Sequence, residues 1–413
     1  MQPPLRIACW LWALTLSAAG HAQSVKPESV GLSRERLERI DDFMQKHIEA
    51  GHVSGGVTLV ARHGKIAHLQ AHGVMDLQSG KPVEKNTLYR IASMSKPITA
   101  LAVLMLVEEG KIRLNDPVSL YLPSFAKQVV AVPKGNSPQD GFDTVPVKRA
   151  ITIKDLLTHT AGFQSGRYST TPESTAAQQR RHELGLAWVE QLGAAPLDFQ
   201  PGSSWAYSAL AGFDVLSRIV EKTSGMTFDA FLQERIFKPL NMKDITFWPN
   251  EQQRARLASS YVASPNGLQP RPDPDSMSGE RYFSGAGGLM TSAESYARFA
   301  MLLAQGGQLD GVRLLGKRTA EVMRSPHIPN TLIPDQPPII SAGDGFGFGV
   351  KVLTDPLATG TLLSEGAFGW FGFYGTYLIV APKEELVAIM MVQTYLPGMS
   401  DEFETAVMQA ITE

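Results

Sequence analysis

One long apolar run constrains the fold of this chain more than any other stretch. From Ile98 onward apolar side chains recur at spacings of three and four, and no charged residue occurs before Glu108. This period is that of a helix, and the lack of a polar face indicates a helix buried on all sides. Pro97 fits only the first turn of a helix, because it has no N–H to donate. Gly110 stands where a C-terminal cap belongs, so the sequence predicts a buried helix that begins close to Ser93.

Two reactive side chains lie at the head of this helix. Ser93 and Lys96 are three residues apart and would share one face of a helix. A helix N-terminus also offers free N–H groups and a partial positive charge. A hydroxyl, an amine that takes its proton and N–H donors are the components of an acyl-transfer site. The same spacing recurs at Ser124 and Lys127, but a stretch rich in Pro and Gly follows there instead of an apolar helix, so we favour Ser93.

The first 22 residues have the pattern of a secretory signal peptide. Arg6 is the charged head, residues 7–19 are the apolar segment, and Gly20-His21-Ala22 has the small outer residues of a cleavage site. The alternatives are a retained anchor or a buried N-terminal helix. We expect export to the periplasm or secretion. Cys9, the only cysteine, lies in this segment, so the mature chain would have no disulfide, cysteine nucleophile or cysteine zinc site.

Charge and residue spacing exclude several classes of function. The chain has 38 Lys and Arg against 40 Asp and Glu, with no basic block, so we expect no nucleic-acid partner. No stretch after the signal is long enough to span a membrane stably. Acidic residues are scattered and the histidines lack metal-ligand spacing, so we predict no metal and no cofactor.

Strand patterns occur at both ends of the chain. Residues 55–62 alternate as a strand, a turn at 63–65 leads into 66–72, and 375–380 with 386–392 form a second hairpin. The middle contains helical patterns and loops, including residues 131–147, which are rich in Pro, Gly and Asp. We therefore predict an α/β (α+β) fold: an antiparallel sheet flanked by helices, from residues 23–115 and 281–413, and a helical domain from residues 116–280.

Two further side chains are candidates for catalysis. His159 could be a base, although a histidine that satisfies backbone groups at a helix end is the more ordinary interpretation. Tyr207 precedes an apolar helix, where a tyrosine usually packs and keeps its hydroxyl on a polar partner. No G-x-S-x-G occurs, which argues against an α/β-hydrolase elbow.

Six motifs occur in order along the chain, at residues 93–96, 156–162, 201–202 with 207–208, 239–242, 283–289 and 369–376. Together they resemble the serine penicillin-recognising hydrolases, which comprise class C β-lactamases, low-molecular-weight penicillin-binding peptidases and, most closely here, family VIII carboxylesterases. The resemblance covers nearly the whole mature chain. It implies a β-lactamase-like fold, Ser93 as nucleophile, Lys96 as its proton acceptor and Tyr207 as partner base and later proton donor. The backbone N–H groups of Ser93 and Phe373 would form the oxyanion hole.

Two departures from the family pattern narrow the substrate. Ala209 stands where the β-lactamases and peptidases usually have an Asn that binds the substrate amide. Trp370 stands where they have a Lys or His that pairs with the substrate carboxylate, and Trp370, Phe371 and Gly372 match the W-x-G variant of family VIII esterases. The ordinary alternative for the two aromatic rings is sheet packing. Tyr282, in the segment 276–288, would line the cleft, or this segment is a purely structural hairpin.

The resemblance and its departures favour hydrolysis of short-chain, neutral carboxylic esters through a covalent acyl-enzyme. The alternatives are a β-lactamase or D-amino-acid peptidase or transpeptidase that acts on cell-wall-like amides, and an acyltransferase. A non-catalytic protein that binds muropeptides or a partner is the alternative from another class. The intact set of Ser93, Lys96 and Tyr207 argues against it.

Overall fold

The computed structural model describes residues 24–135, 141–164, 171–272, 282–332 and 339–413. The predicted signal segment, residues 1–22, lies outside the described residues. An eight-stranded antiparallel sheet forms the centre of the molecule. Its strands, in spatial order, are β13 (Asp344–Phe346), β14 (Lys351–Leu353), β15 (Phe368–Phe371), β16 (Tyr377–Ala381), β17 (Leu386–Val392), β1 (Gly55–Arg62), β2 (Lys65–Asp76) and β3 (Lys81–Pro82).

The sheet joins the two ends of the chain, as predicted. β1 pairs with its hairpin partner β2 on one side and with β17, more than 300 residues later, on the other. Side chains of β1 alternate between two cores: Val57 and Leu59 face one cluster, and Val60 faces the other. Both faces of the sheet are therefore covered, which explains why β1 is buried along its whole length.

Helices cover both faces of the sheet and form most of the intervening region. In chain order they are α1 (Arg34–Glu49), α2 (Ser95–Glu108), α3 (Ile153–Leu157), α4 (Pro172–Gln179), α5 (Arg181–Leu184), α6 (Trp188–Leu192), α7 (Ala211–Ser224), α8 (Phe228–Leu232), α9 (Glu251–Arg254), α10 (Ala293–Ala304), α11 (Lys317–Met323), α12 (Pro356–Thr359) and α13 (Met399–Met408). Single turns of 3-10 helix lie at Pro27–Val30, Ala92–Met94, Val118–Leu120, Pro123–Lys127, Gly185–Ala187 and Asn330–Leu332, and a π turn at Gln233–Phe237.

Helix α2 is the buried helix that the apolar run predicts. Every residue from Ser95 to Leu106 is buried, and Gly110 follows the helix with a φ of 70°. Helix α1 begins after Ser33, whose side chain accepts a hydrogen bond from the N–H of Arg36. Helices α1 and α13 pack together on the face of the sheet that Val60 contacts, whereas α2 and α10 contribute to the opposite core.

The middle of the chain, between the two segments that form the central sheet, contains more β-strand than the sequence indicated. Residues 131–147, predicted to be a loop, contain most of a two-stranded hairpin, β5 (Val129–Pro133) and β6 (Phe142–Pro146). The sequence interpretation was wrong here because turn-forming residues dominate this stretch and the two strands are only five residues long. The other strands are β4 (Tyr89–Arg90), β7 (Ile245–Thr246), β8 (Tyr261–Ser264), β9 (Gly267–Pro270), β10 (Met290–Thr291), β11 (Gln308–Leu309) and β12 (Val312–Arg313).

The mixed sheet-and-helix architecture confirms the predicted fold class. The division at residues 115/116 and 280/281 stays a prediction. Within the described part of the chain, no helix combines the length and the apolar character needed to cross a membrane.

Candidate active site

Ser93 lies in a strained turn at the head of the buried helix. The 3-10 turn Ala92–Met94 runs directly into α2, so Ser93 precedes the regular helix by two residues. Ala92 has a φ of 42°, a left-handed conformation that costs energy in a residue with a Cβ. Tyr296 of α10 fixes the turn, because its hydroxyl donates a 2.8 Å hydrogen bond to the carbonyl of Met94.

Lys96 is fully buried and its amine is held by two backbone carbonyls. Nζ donates 2.8 Å hydrogen bonds to the carbonyl oxygens of Ala209 and Ala286, and lies 3.1 Å from Ser93 Oγ. The two carbonyls can only accept, so they occupy two N–H groups of the amine. The third direction points at the Ser93 hydroxyl. An ammonium would place its third proton there, and a neutral amine would place its lone pair there.

Tyr207 completes the group of three side chains. A 2.7 Å hydrogen bond joins Tyr207 Oη and Ser93 Oγ, and Lys96 Nζ lies 5.0 Å from the centre of the phenol ring. The hydroxyl of Ser93 therefore has both an amine and a phenol within proton-transfer distance. The structure brings together the three predicted catalytic residues, although Ser93 and Tyr207 are 114 positions apart.

Aromatic side chains fix the position of the Tyr207 ring. The ring centres of His159 and Trp370 lie 4.8 Å and 5.5 Å from it, on different elements. Phe346 of β13 contacts both of these rings, at 5.2 Å from His159 and 5.4 Å from Trp370. Such a packed cluster restricts the phenol to one orientation.

The hydrogen bond of the His159 side chain goes to the loop that contains Tyr207, and not to Ser93 Oγ. Its Nδ1 accepts the backbone N–H of Ser208 at 3.1 Å, and its ring is buried. Burial, with Lys96 as a smaller cause, holds the pKa of His159 well below its ordinary value. These contacts favour a structural role for His159 over a role as catalytic base.

A buried carboxylate, missed in the sequence, organises the segment that binds Lys96. Asp214 of α7 accepts hydrogen bonds from the hydroxyls of Tyr282 and Ser284 (2.7 Å for Ser284) and from the N–H of Ala286 at 3.2 Å. Ala286 in turn accepts from Lys96. Burial raises the pKa of Asp214. The signal in the sequence was an acidic residue inside the apolar pattern of a helix, next to Phe213.

The predicted oxyanion hole depends on a close approach of two backbones. A Cβ on Gly372 would lie 2.4 Å from the carbonyl oxygen of Ile91, so only glycine fits. The loop after β15, which contains Phe373, therefore lies against the turn that contains Ser93. Phe373 itself is 59% exposed. The role of the Ser93 and Phe373 N–H groups stays a prediction.

The predicted substrate-binding residues have different surroundings. Trp370 is buried at 2% exposure beside Tyr207, whereas Phe371 is partly exposed at the end of β15. Ala209 contributes its carbonyl to Lys96, and the hydroxyl of Tyr282 is bound to Asp214. Trp370 thus affects the site by packing against the phenol of Tyr207, and Tyr282 affects it by donating a hydrogen bond to the carboxylate of Asp214. Direct contact of either residue with a substrate stays a prediction.

The sequence profile of the Beta-lactamase family matches residues 40–413. The chain belongs to the Beta-lactamase family. An uncharacterized protein of Mycobacterium tuberculosis is 33% identical over 370 residues, covering 87% of this chain and 90% of its own length. Esterase EstB of Burkholderia gladioli is 30% identical over 424 residues, covering 94% of this chain and 99% of EstB.

A solved structure of similar architecture is EstCE1, a hydrolase with promiscuous acyltransferase activity. It matches with a TM-score of 0.78 at 26% identity, covering 92% of this chain and 99% of EstCE1. Membership in the Beta-lactamase family confirms the predicted superfamily, and with these relatives it confirms that the protein is a serine hydrolase.

Replacement of the buried carboxylate tests how Lys96 is positioned. In Asp214→Asn the amide nitrogen of the new side chain faces hydroxyl or N–H donors, so the segment that contains Ala286 loses hydrogen bonds and shifts. We expect kcat to fall about 10- to 100-fold with little change in KM, because a small misplacement of a catalytic group acts on the transition state. The exposed Asp401→Asn is the control. A parallel loss in both variants, or a change in KM alone, would contradict this assignment.

Acid titration of stability tests the burial of His159. The unfolded chain binds a proton here below about pH 6.5, and the folded chain does not, so this group's contribution to stability is present above that pH and is lost as the pH falls. The variant His159→Asn, which tolerates the positive φ of 58°, lacks this dependence. Its free energy of unfolding should fall less steeply with acid, by up to about 1.4 kcal/mol per pH unit. Urea unfolding at pH 7, 6 and 5 measures this, and parallel curves would refute it.

Proposed function

We propose that this protein hydrolyses short-chain, neutral carboxylic esters through an acyl-enzyme on Ser93. One observation carries the proposal: the Ser93 hydroxyl lies 2.7 Å from the phenol of Tyr207 and 3.1 Å from the amine of Lys96. A serine hydroxyl is a weak nucleophile until a neighbouring base takes its proton. Both candidate bases are in contact with the attacking oxygen before any substrate arrives.

The geometry supports a two-step reaction. Ser93 Oγ attacks the ester carbonyl while its proton passes to Lys96, and the N–H groups of Ser93 and Phe373 stabilise the negative oxygen that develops. Tyr207 then gives its proton to the leaving alkoxide, the C–O bond breaks and an alcohol leaves, and the proton that Lys96 took from Ser93 restores the phenol of Tyr207. In the second step a water molecule attacks the acyl carbonyl and passes one proton to the same bases. The bond between the acyl carbon and Ser93 Oγ then breaks, a carboxylic acid leaves, and that proton returns to Ser93.

The surroundings of Trp370 support the preference for neutral esters over penicillins. Its ring is buried among Tyr207, Phe346 and Phe371, so this strand position offers no positive charge to a substrate carboxylate. The loss of a charge-assisted hydrogen bond costs about 1.5 to 3 kcal/mol. A positive group does lie near Phe373, because the guanidinium of Arg271 is 4.7 Å from the centre of that ring. An ester with a carboxylate on its acyl chain therefore belongs in the substrate panel.

The nearest alternatives use the same acyl-enzyme. A β-lactamase or D-alanyl peptidase differs in the acyl donor, and an acyltransferase differs in the acceptor that intercepts the intermediate. EstB is named an esterase, and EstCE1 is described as a hydrolase with promiscuous acyltransferase activity. These relatives favour ester hydrolysis first and transfer to an alcohol second. Cell-wall-like amides remain the alternative substrates.

We also propose that the mature protein is exported. The support is the pattern of residues 1–22: one arginine, a short apolar segment and a small-residue cleavage site. The absence of cysteine from the remaining chain is compatible with an oxidising compartment.

A substrate panel with three variants tests the function. Wild type should hydrolyse p-nitrophenyl acetate and butyrate at least 100-fold faster than a chromogenic cephalosporin or a D-alanyl-D-alanine peptide, by kcat/KM. Ser93→Ala should lose at least about 10³-fold in kcat, since it removes the nucleophile. Tyr207→Phe should lose about 10²- to 10⁴-fold, the usual contribution of acid–base catalysis.

The matched control is Ser124→Ala, which removes the serine of the other S-x-x-K sequence and should hydrolyse esters like wild type. Comparable rates on cephalosporin and short esters would replace the ester proposal with the β-lactamase one. Unchanged ester hydrolysis in Ser93→Ala would refute both.

N-terminal sequencing tests export. Protein expressed with its full N-terminus in a Gram-negative host should be recovered from the periplasmic fraction or the medium, with a new N-terminus at or near residue 23. An intact Met1 on protein recovered from the cytoplasm would contradict the proposal.

A further inference from the structure

A second group of reactive side chains lies on the opposite face of the sheet from α2. His68 and His72 are on β2, Thr58 is on the paired strand β1, and Asp41 is on α1, which packs over them. His68 pairs with Val60, whose side chain belongs to the core that α1 contributes to. The group is therefore separated from Ser93 by the thickness of the sheet.

The ligand atoms of this group converge on one point. Asp41 Oδ1 lies 3.9 Å from His68 Nε2 and 3.6 Å from His72 Nε2, and one ligand atom from each of the three residues lies within 4.8 Å of the other two. Three ligands around a tetrahedral Zn²⁺, with bonds near 2.0 Å, are separated by about 3.4 Å. Two of the separations thus need to shorten by only a few tenths of an ångström. Within the described chain, no other His, Cys, Asp and Glu side chains converge in this way.

Thr58 holds both imidazoles in this arrangement. Its hydroxyl lies 2.8 Å from His68 Nε2 and 3.2 Å from His72 Nε2, and it is fully buried. The hydroxyl can donate its single proton to one of these nitrogens and accept from the other, so both rings direct Nε2 toward the same point. An ion that binds both Nε2 atoms replaces these two hydrogen bonds and leaves the Thr58 hydroxyl beside it.

The carboxylate oxygen supplies an independent observation. Asp41 Oδ1 is shielded from solvent and has no hydrogen-bond partner within the described chain. A buried acceptor without a partner is costly unless a ligand or water satisfies it. The side chains of His68 and His72 are 5% and 11% exposed, and that of Asp41 is 39% exposed, so the two imidazoles lie in the core and the carboxylate lies at its edge.

We propose that His68 Nε2, His72 Nε2 and Asp41 Oδ1 bind a divalent first-row transition metal, with Zn²⁺ as the ion of choice. Two imidazoles and one carboxylate suit Zn²⁺, and the remaining position is filled by water or by the hydroxyl of Thr58. The ion connects α1 to the β1–β2 hairpin, so its role is to stabilise the N-terminal part of the fold. It takes no part in the chemistry at Ser93.

The site escapes sequence analysis for a simple reason. Spacing rules for zinc look for ligands close together in loops or one helical turn apart. His68 and His72 are four residues apart in a strand, which also places them on one face, but the third ligand comes from a different element 27 residues earlier. The prediction of no metal is thus replaced by this proposal.

Metal titration of the full mature chain, with any histidine tag removed and the protein first dialysed against a chelator, tests the site. We expect one Co²⁺ or Zn²⁺ per chain, by the visible spectrum of Co²⁺ and by calorimetry with Zn²⁺, and a rise in Tm when Zn²⁺ is added. Asp41→Asn and His72→Gln should each weaken Zn²⁺ binding at least tenfold and remove the rise in Tm.

Matched controls separate this site from surface binding. Asp42→Asn changes the adjacent exposed carboxylate, and His63→Gln changes an exposed histidine of the same hairpin. Both should bind Zn²⁺ like wild type. Near-UV circular dichroism of the metal-free proteins shows whether each variant is folded. If His72→Gln does not fold, the result for Asp41→Asn alone decides the test. Equal Zn²⁺ affinity in Asp41→Asn and Asp42→Asn, or no stoichiometric binding by wild type, overturns the proposal.

Discussion

The candidate active site depends on how a buried amine is held. Lys96 has no exposed surface, and two backbone carbonyls from distant segments, at Ala209 and Ala286, accept its N–H groups. A buried amine without such partners would be very costly. These two contacts also leave the third position of the amine, which holds either a proton or the lone pair, directed toward Ser93 Oγ. The loop that contains Tyr207 and the segment that Asp214 organises are therefore coupled to the catalytic serine through one side chain.

Much of this arrangement was readable from the sequence. The apolar run after Pro97 predicted a buried helix with Ser93 and Lys96 at its head, and the structure has that helix as Ser95–Glu108. Strand patterns at both chain ends predicted the central sheet. These predictions hold because local periodicity and burial act in the same direction in both elements. Tyr207 was identified by its motif and by resemblance, because no local rule places a loop phenol beside a serine 114 residues away.

The missed features all depend on contacts between distant segments. Asp214 interrupts the apolar pattern of its helix, but its partners Tyr282 and Ser284 come 68 and 70 residues later in the sequence. The hairpin at residues 129–146 is formed by strands too short to stand out from the turn residues between them. Asp41, His68 and His72 converge only when α1 is packed on the sheet. A single sequence contains these residues but does not state which of them meet.

Trapping of the acyl-enzyme tests the central claim most directly. A fluorophosphonate probe, followed by digestion and mass spectrometry, should place a single adduct on the peptide that contains Ser93. In Lys96→Met, an apolar side chain of similar length, the labelling rate should fall at least 100-fold while the near-UV spectrum stays that of the folded chain. Labelling of Lys96→Met as fast as wild type, or an adduct on another residue, would contradict the account.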